Sequence, residues 1–240
     1  MLRLTTLGGL RLARGRESLT GAATQRRRLA ILALLAAAGE RGLSRDKLVG
    51  YLWPESQEER ARHVLNQLLY AQRQSFGDDD LFLGKKTLRL NPAVIWTDVG
   101  AFEAALDTQA LEEAVGYYEG PFLDGFFLSD SPTFDQWVET QRERLGRRLR
   151  ASLSARAASL AGQGDAAGAT AWWRRVADLD PLDSQVARRL VETLAGSGDV
   201  PGAVRYARRH RDLLRTELDL PLDPAFHDLV ERMARGEPWS

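Results

Sequence analysis

The stretch EERARHVLNQLLYAQRQSF, Glu58 to Phe76, decides the fold. Its pattern predicts one helix of about five turns at about 3.6 residues per turn. Ala61, Leu65, Leu68, Leu69 and Phe76 fall on one face by the i, i+3, i+4, i+7 spacing. The opposite face carries Arg60, His63, Asn66, Gln67, Tyr70 and Gln74, with Arg62 and Arg73 at its edges. After Glu59 this face holds no acid. A solvated face ordinarily mixes both signs of charge to gain i, i+4 pairs. A face built for the major groove wants Arg, Asn and Gln, which pair with base edges, and no carboxylate beside phosphate. Taken alone, the helix also reads as the polar side of an ordinary globular domain.

Working outward changes that balance. Ser44 is predicted to cap a shorter helix, Arg45–Leu52, although Lys47 stands where Glu would complete a capping box. Leu48, Val49 and Leu52 face inward, and Trp53-Pro54 stops the helix, because proline disfavours helix for the residue before it. Short helix, tight turn, longer helix is the helix-turn-helix order, with the second helix in the groove. Upstream, Thr24 is predicted as the N-cap of a helix through Ala38, ended by Gly39. Its buried stripe is Leu29, Leu32, Ala33, Ala36 and Ala37. Arg26, Arg27 and Arg28 crowd its first turn, where cations oppose the helix dipole by roughly a few tenths of a kcal/mol each. A phosphate at that end offsets the cost. A solvated basic turn is the alternative.

Residues 2–20 predict short antiparallel strands: Leu2, Leu4 and Leu7 alternate, Gly8-Gly9 turns, and Leu10 and Leu12 alternate again. Arg14-Gly15-Arg16 is a second turn, and Ser18-Leu19-Thr20 a further short strand. Past the long helix, Gly77-Asp78-Asp79-Asp80 is a stop, and LFLGKKTLRL (81–90) predicts a hairpin tipped by Lys85 and Lys86. A hairpin there serves as a wing on flanking phosphates, or as a plain solubilised turn.

The formal net charge of zero conceals an asymmetry. Residues 1–95 hold 16 Lys and Arg against 9 Asp and Glu, a net of +7, whereas residues 96–240 hold 17 against 24, a net of −7. A basic half joined to an acidic half fits a polyanion-binding domain carrying an interaction domain. Cysteine is absent, which removes a disulfide framework, a thiolate nucleophile and Cys-ligated zinc, and fits a cytoplasmic location. No run of about 18 apolar residues exists to span a membrane, and the first residues lack a secretory apolar core.

The second half reads as helical throughout. Phe102, Ala105 and Leu106 mark one helix; Leu111, Ala114, Val115 and Tyr118 mark another, ended by Gly120-Pro121. Residues 121–133 form a loop whose Phe122, Leu123, Phe126, Phe127 and Leu128 must pack or leave an exposed apolar patch. A long helix over 134–162 follows, with Trp137, Leu145, Leu149, Leu153 and Leu160 inward. GDAAGA (164–169) and GDVPGA (198–203) then recur 34 residues apart, the tetratricopeptide period. Each such unit buries its face only against its neighbours. No capping helix is evident before Gly236, which leads to the expectation that the natural protein continues past residue 240.

Chemistry of an enzyme is hard to find. His63, His210 and His227 are not spaced as a metal pair, and His210 reads as a surface residue among Arg208, Arg209 and Arg211. Gly84-Lys85-Lys86-Thr87 lacks the earlier glycine of a phosphate loop, and Gly196-Ser197-Gly198 is a turn. No cofactor is expected.

The chain resembles the bacterial transcriptional activators of the SARP type. The matching stretches are LGGLRL (7–12), QRRRLAILALLAAAGERGLSRDKLVGYLWPE (25–55), RARHVLNQLLYAQRQSFG (60–77), LRLNP (88–92), IWTDVGAFEAAL (95–106) and YYEGPFLDGF (117–126). The resemblance implies a mainly α fold: an OmpR-like winged helix-turn-helix with a small antiparallel sheet, residues 1–95. An all-α, tetratricopeptide-like bacterial transcriptional activator domain (BTAD) follows, residues 96–240. It implies a sequence-specific activator that binds double-stranded DNA, with direct repeats as sites, as a homodimer in contact with RNA polymerase. The DNA-binding residues are then Arg26, Arg27, Arg28, Arg60, Arg62, His63, Asn66, Gln67, Tyr70, Arg73, Lys85 and Lys86. Two departures stand out. The family commonly has Leu near 72 and Arg near 74, and this chain has Gln72 and Gln74. Gln72 lands in the apolar face, where an unbonded amide costs about 1–3 kcal/mol, so it must be bonded or at an edge. The alternative function is a protein-interaction module whose winged helix binds DNA weakly or without specificity.

Overall fold

The computed structural model describes residues 1–19, 25–77 and 80–238. Its contacts divide the chain into two compact units, Met1–Arg147 and Arg148–Ser240. The expected cap at Thr24, the strand end at Thr20 and the Asp78-Asp79 stop lie outside the described residues.

In the first unit, β1 (Leu2–Thr5) and β2 (Arg11–Arg14) form the expected antiparallel pair, and the third strand, β3, lies at Glu17–Ser18 rather than starting at Ser18. Leu2, Leu4 and Leu12 point inward, as period-2 alternation demands. α1 (Arg26–Ala38) follows, then β4 (Leu43–Ser44), α2 (Arg45–Leu52) and α3 (Glu58–Phe76). Ser44 caps α2 by accepting from the Lys47 amide at 3.2 Å. α3 keeps the predicted bounds and ends at Gly77 in the left-handed conformation. β5 (Phe82–Leu83) and β6 (Thr87–Leu90) make the wing, with β6 also paired to β4. The lysine tip turns through Gly84 at φ +88°, where a Cβ would stand 2.1 Å from the Thr87 carbonyl oxygen.

Three findings depart from the periodic reading. α1 is buried at every residue from Leu29 to Ala37 rather than along a stripe. A helix whose outward positions are Ala and Ile can be covered all round. β7 (Ile95–Thr97) was not read as a strand, yet it pairs in parallel with β1 and closes a sheet of order β3-β2-β1-β7. The third is a buried carboxylate. Asp98, 4% exposed, opens α4 (Asp98–Asp107). Its Oδ2 accepts from the amides of Thr6 (2.7 Å) and Leu7 (2.8 Å), and its Oδ1 from the Thr6 hydroxyl (2.8 Å) and the Val99 amide (2.7 Å). Burial pushes this carboxyl above the ordinary range, against the pull of those donors.

The same strand end is tied further along the chain. After α5 (Leu111–Tyr117), the Leu123 amide donates to the Thr6 carbonyl at 2.7 Å and the Gly8 amide to the Pro121 carbonyl at 3.1 Å. Gly8 and Gly120 touch so closely that a Cβ on Gly120 would lie 3.0 Å from the Gly8 Cα. This explains why LGGL and EGPF both need glycine. Phe122, Leu123 and Leu128 pack as the loop required, but Phe127 stays exposed. Arg142, on α6 (Pro132–Gly162), holds the loop by donating to the Phe122 and Leu123 carbonyls at 2.7 and 2.8 Å.

The second unit contains α7 (Ala166–Leu179), α8 (Ser184–Gly196), α9 (Val200–Leu218) and α10 (Pro224–Ala234). The 34-residue repeat has a local cause. Asp165 and Asp199 each cap a helix by accepting from the amide three residues on, Gly168 and Gly202, at 2.9 Å. A Cβ at either glycine would run into the capping carboxylate. Ala169 and Ala203 are fully buried at the helix contacts. α10 was not read from the sequence. Its signal is Asp223-Pro224, a cap that accepts from the Phe226 amide at 3.1 Å followed by proline at a first-turn position.

His210 is a correction. It is 3% exposed, not a surface residue. The helical period sets it on the opposite side of α9 from Arg208, Arg209 and Arg211, toward Leu214 and Ala207. Its Nδ1 lies 3.0 Å from the Pro181 carbonyl and its Nε2 3.0 Å from the Ser184 hydroxyl. A carbonyl only accepts, so Nδ1 carries the proton and Nε2 accepts from serine. Burial lowers the His210 pKa, opposed by the Pro181 carbonyl and the Asp183 charge. The unfolded chain therefore binds the proton first as pH falls. We expect the second unit to keep its full stability above about pH 6.5 and lose it below, by at most about 1.4 kcal/mol per pH unit from this group. Urea midpoints followed by amide exchange in α8 and α9 should show this slope, and His210→Gln should flatten it.

Candidate nucleic-acid interface

α3 buries Ala61, Leu65, Leu69, Gln72 and Phe76 against the rest of the unit, while Leu68 is half-buried. Arg60, Arg62, His63, Asn66, Gln67 and Tyr70 are exposed, and Tyr70 is 64% exposed. An exposed phenol amid amides and cations gives this face both apolar and hydrogen-bonding capacity.

Gln72 answers the question its position raised. It is 0% exposed, and its Nε2 donates to the Arg28 carbonyl at 2.9 Å. The amide therefore ties α3 to the first turn of α1, with Oε1 left without a partner among the described residues. Gln74 is exposed.

The polar face is internally ordered. Gln67 Nε2 lies 2.9 Å from His63 Nε2. An amide nitrogen only donates, so that ring nitrogen accepts and His63 carries its proton on Nδ1. Asn66 Oδ1 accepts from Arg45 Nη1 at 2.6 Å. Arg62 pairs with Asp46 at 3.0 Å and with Glu58 at 2.5 Å. Both acids raise its pKa further, first through the Asp46 hydrogen bond. Asp46 was not anticipated. The helical wheel of α3 is free of acid beyond Glu59, but α2 brings one across to its edge.

The remaining basic candidates divide. Lys85 and Lys86 are exposed at the wing tip. Arg73 is half-buried, with its guanidinium 5.9 Å from the Phe82 ring centroid. The α1 arginines are engaged within the unit. Arg26 donates to the Phe127 carbonyl at 2.7 Å and sits over its ring. Arg27 pairs with Asp130 at 2.5 Å and lies 5.3 Å from the Trp53 ring. Arg28 Nη1 lies 3.5 Å from the Ser75 hydroxyl. Those acceptors belong to a loop and a helix end distant in sequence, so no local pattern foretold them.

Sequence reasoning also missed Arg45. It stands in the first turn after the Ser44 cap, and its side-chain partners Asn66 and Lys85 lie 21 and 40 residues along the chain, beyond any local pattern.

Among the described residues, no helix is long and apolar enough to cross a membrane. A scan against protein families matches residues 97–233 to the bacterial transcriptional activator domain. Among solved structures, one described as Mycobacterium tuberculosis EmbR in complex with low affinity phosphopeptide is similar at a TM-score of 0.63 and 21% identity. The likeness covers 100% of this chain and 66% of that one, and at that identity it speaks to fold alone. The chain thus spans just under two thirds of that protein's length. A search of curated proteins gave no match. With a winged helix ahead of a matched region that fills more than half its length, the chain belongs to the bacterial transcriptional activator domain family, in the SARP-type arrangement.

Proposed function

We propose that this regulator binds double-stranded DNA sequence-specifically, with α3 in the major groove and the Lys85-Lys86 tip on flanking phosphate. The observation that carries the reading is the exposure of Arg60, His63, Asn66, Gln67 and Tyr70 on one helix face. Base-pairing side chains presented together on a rigid element suit direct readout. Arg62 and Arg73 at the edges, and Arg26, Arg27 and Arg28 behind, serve as backbone contacts where they exchange a protein acceptor for phosphate. Residues 1–95 supply the reader. Residues 96–240 supply self-association into a homodimer on direct repeats and contact with RNA polymerase in the cytoplasm.

A second reading has its own support. Arg26, Arg27 and Arg62 already hold acceptors inside the protein, which favours a protein-interaction module with weak, sequence-blind DNA affinity. Selection of the whole chain against a random-sequence duplex library separates the two. An enriched motif, bound with a log K that drops by about 0.9 per phosphate against log salt, is expected. Uniform weak retention of all sequences would favour the second reading.

A further inference from the structure

Arg45 opens α2 and touches two separate parts of the proposed interface. Its backbone N–H donates to the Lys86 carbonyl at 3.2 Å and its Nε to the Lys85 carbonyl at 2.8 Å. Its Nη1 donates to Asn66 Oδ1 at 2.6 Å. One residue therefore joins the wing tip to the middle of α3. A guanidinium can only donate, so the Asn66 atom facing it must be the carboxamide oxygen. The Asn66 NH2 makes no hydrogen bond among the described residues and lies on an exposed side chain.

The geometry points to Arg45 as a positioning residue that sets which base Asn66 reads: by holding the oxygen, it leaves Asn66 only donors for the duplex. This rests on the reading of α3 as the major-groove helix. A free asparagine recognises adenine by donating to N7 and accepting from N6. An asparagine whose oxygen is turned to a guanidinium has given up the accepting half of that pair. Charge-assisted bonds are shorter and stronger than neutral ones, which holds the amide against flipping. What remains matches an edge that offers acceptors with no donor of the same base to answer, O6 and N7 of guanine or O4 of thymine, whereas adenine sets its N6 donor beside N7. The same residue fastens the wing tip by its carbonyls, and both lysines there are exposed.

The test uses the whole chain, duplexes drawn from the library selection, and all four base pairs at each position. Wild type is expected to prefer G or T over A at one position of the half-site, and Asn66→Ala to lose about 5- to 150-fold of preference at that position alone. Arg45→Met is expected to lose the preference at the same position and to gain tolerance of A. The double variant should discriminate no worse there than Asn66→Ala, since one residue acts through the other. Asn66→Asp keeps an acceptor for Arg45 on an exposed position and removes the donors. It is expected to shift the preference toward C, and it gives an answer even if Arg45→Met fails to fold. Arg45→Met that keeps the wild-type preference, Asn66→Asp that still selects G or T, or adenine at the Asn66-sensitive position would each overturn the assignment while leaving DNA binding intact. Wild type with no enriched sequence would remove the groove reading and this inference together.

Discussion

Replacing Asp98 with alanine is expected to cost the first unit about 3–5 kcal/mol, because it strands buried donors around an emptied site. The Thr6 and Leu7 amides both donate to this carboxylate, and both lie on buried residues, where a lost acceptor is not replaced by bulk water. Such a loss is a large share of a domain's stability of about 5–15 kcal/mol. Asp98→Asn should lie between, since its oxygen still accepts while its NH2 faces a donor. Urea unfolding of the first unit should show the midpoint falling with an unchanged slope. A shift worth less than about 1 kcal/mol, the scale of one ordinary hydrogen bond, would show that the carboxylate does not hold β1 to α4.

The second large effect concerns binding rather than folding. Replacing Asn66 and Gln67 together with alanine is expected to cut the preference for a selected site over scrambled DNA by about 30-fold or more, at about 1–3 kcal/mol per base contact. Both side chains are exposed and neutral, so stability should stay within about 0.5 kcal/mol. The salt dependence should also be unchanged, because no cation is removed. Competition gel shifts with selected and scrambled duplexes measure the ratio directly. An unchanged ratio would take base reading away from α3.

Much of this architecture can be read along the chain. The bounds of α2 and α3, the hairpin with its lysine tip, and the recurrence of Gly-Asp caps all arise within a few residues of their signals. What escaped depends on partners far away. Asp98 looks like an N-terminal helix acid until Thr6 and Leu7 are placed beside it. β7 is too short for alternation to show, and only pairing with β1 makes it a strand. Arg26 and Arg27 look free for phosphate because Phe127 and Asp130 are about a hundred residues off. Gln72 was legible as a problem, and its solution, the Arg28 carbonyl, was not. His210 was hidden by its neighbours: a run of arginines suggests solvent, yet one position in the run turns inward.

The stitching of the first strand to residues far downstream has a consequence for how such regulators diversify. Thr6 and Gly8 meet Pro121 and Leu123 through main-chain groups, Thr6 also meets the Asp98 carboxylate, and two glycines there leave no room for side chains. The winged helix cannot then be cut out at residue 95 and joined to a foreign partner without tearing those bonds. Recombination that preserves an intact winged helix must carry along the segment through Leu123, so exchanges are expected to take pieces of the adjoining helices with them rather than to break cleanly at residue 95.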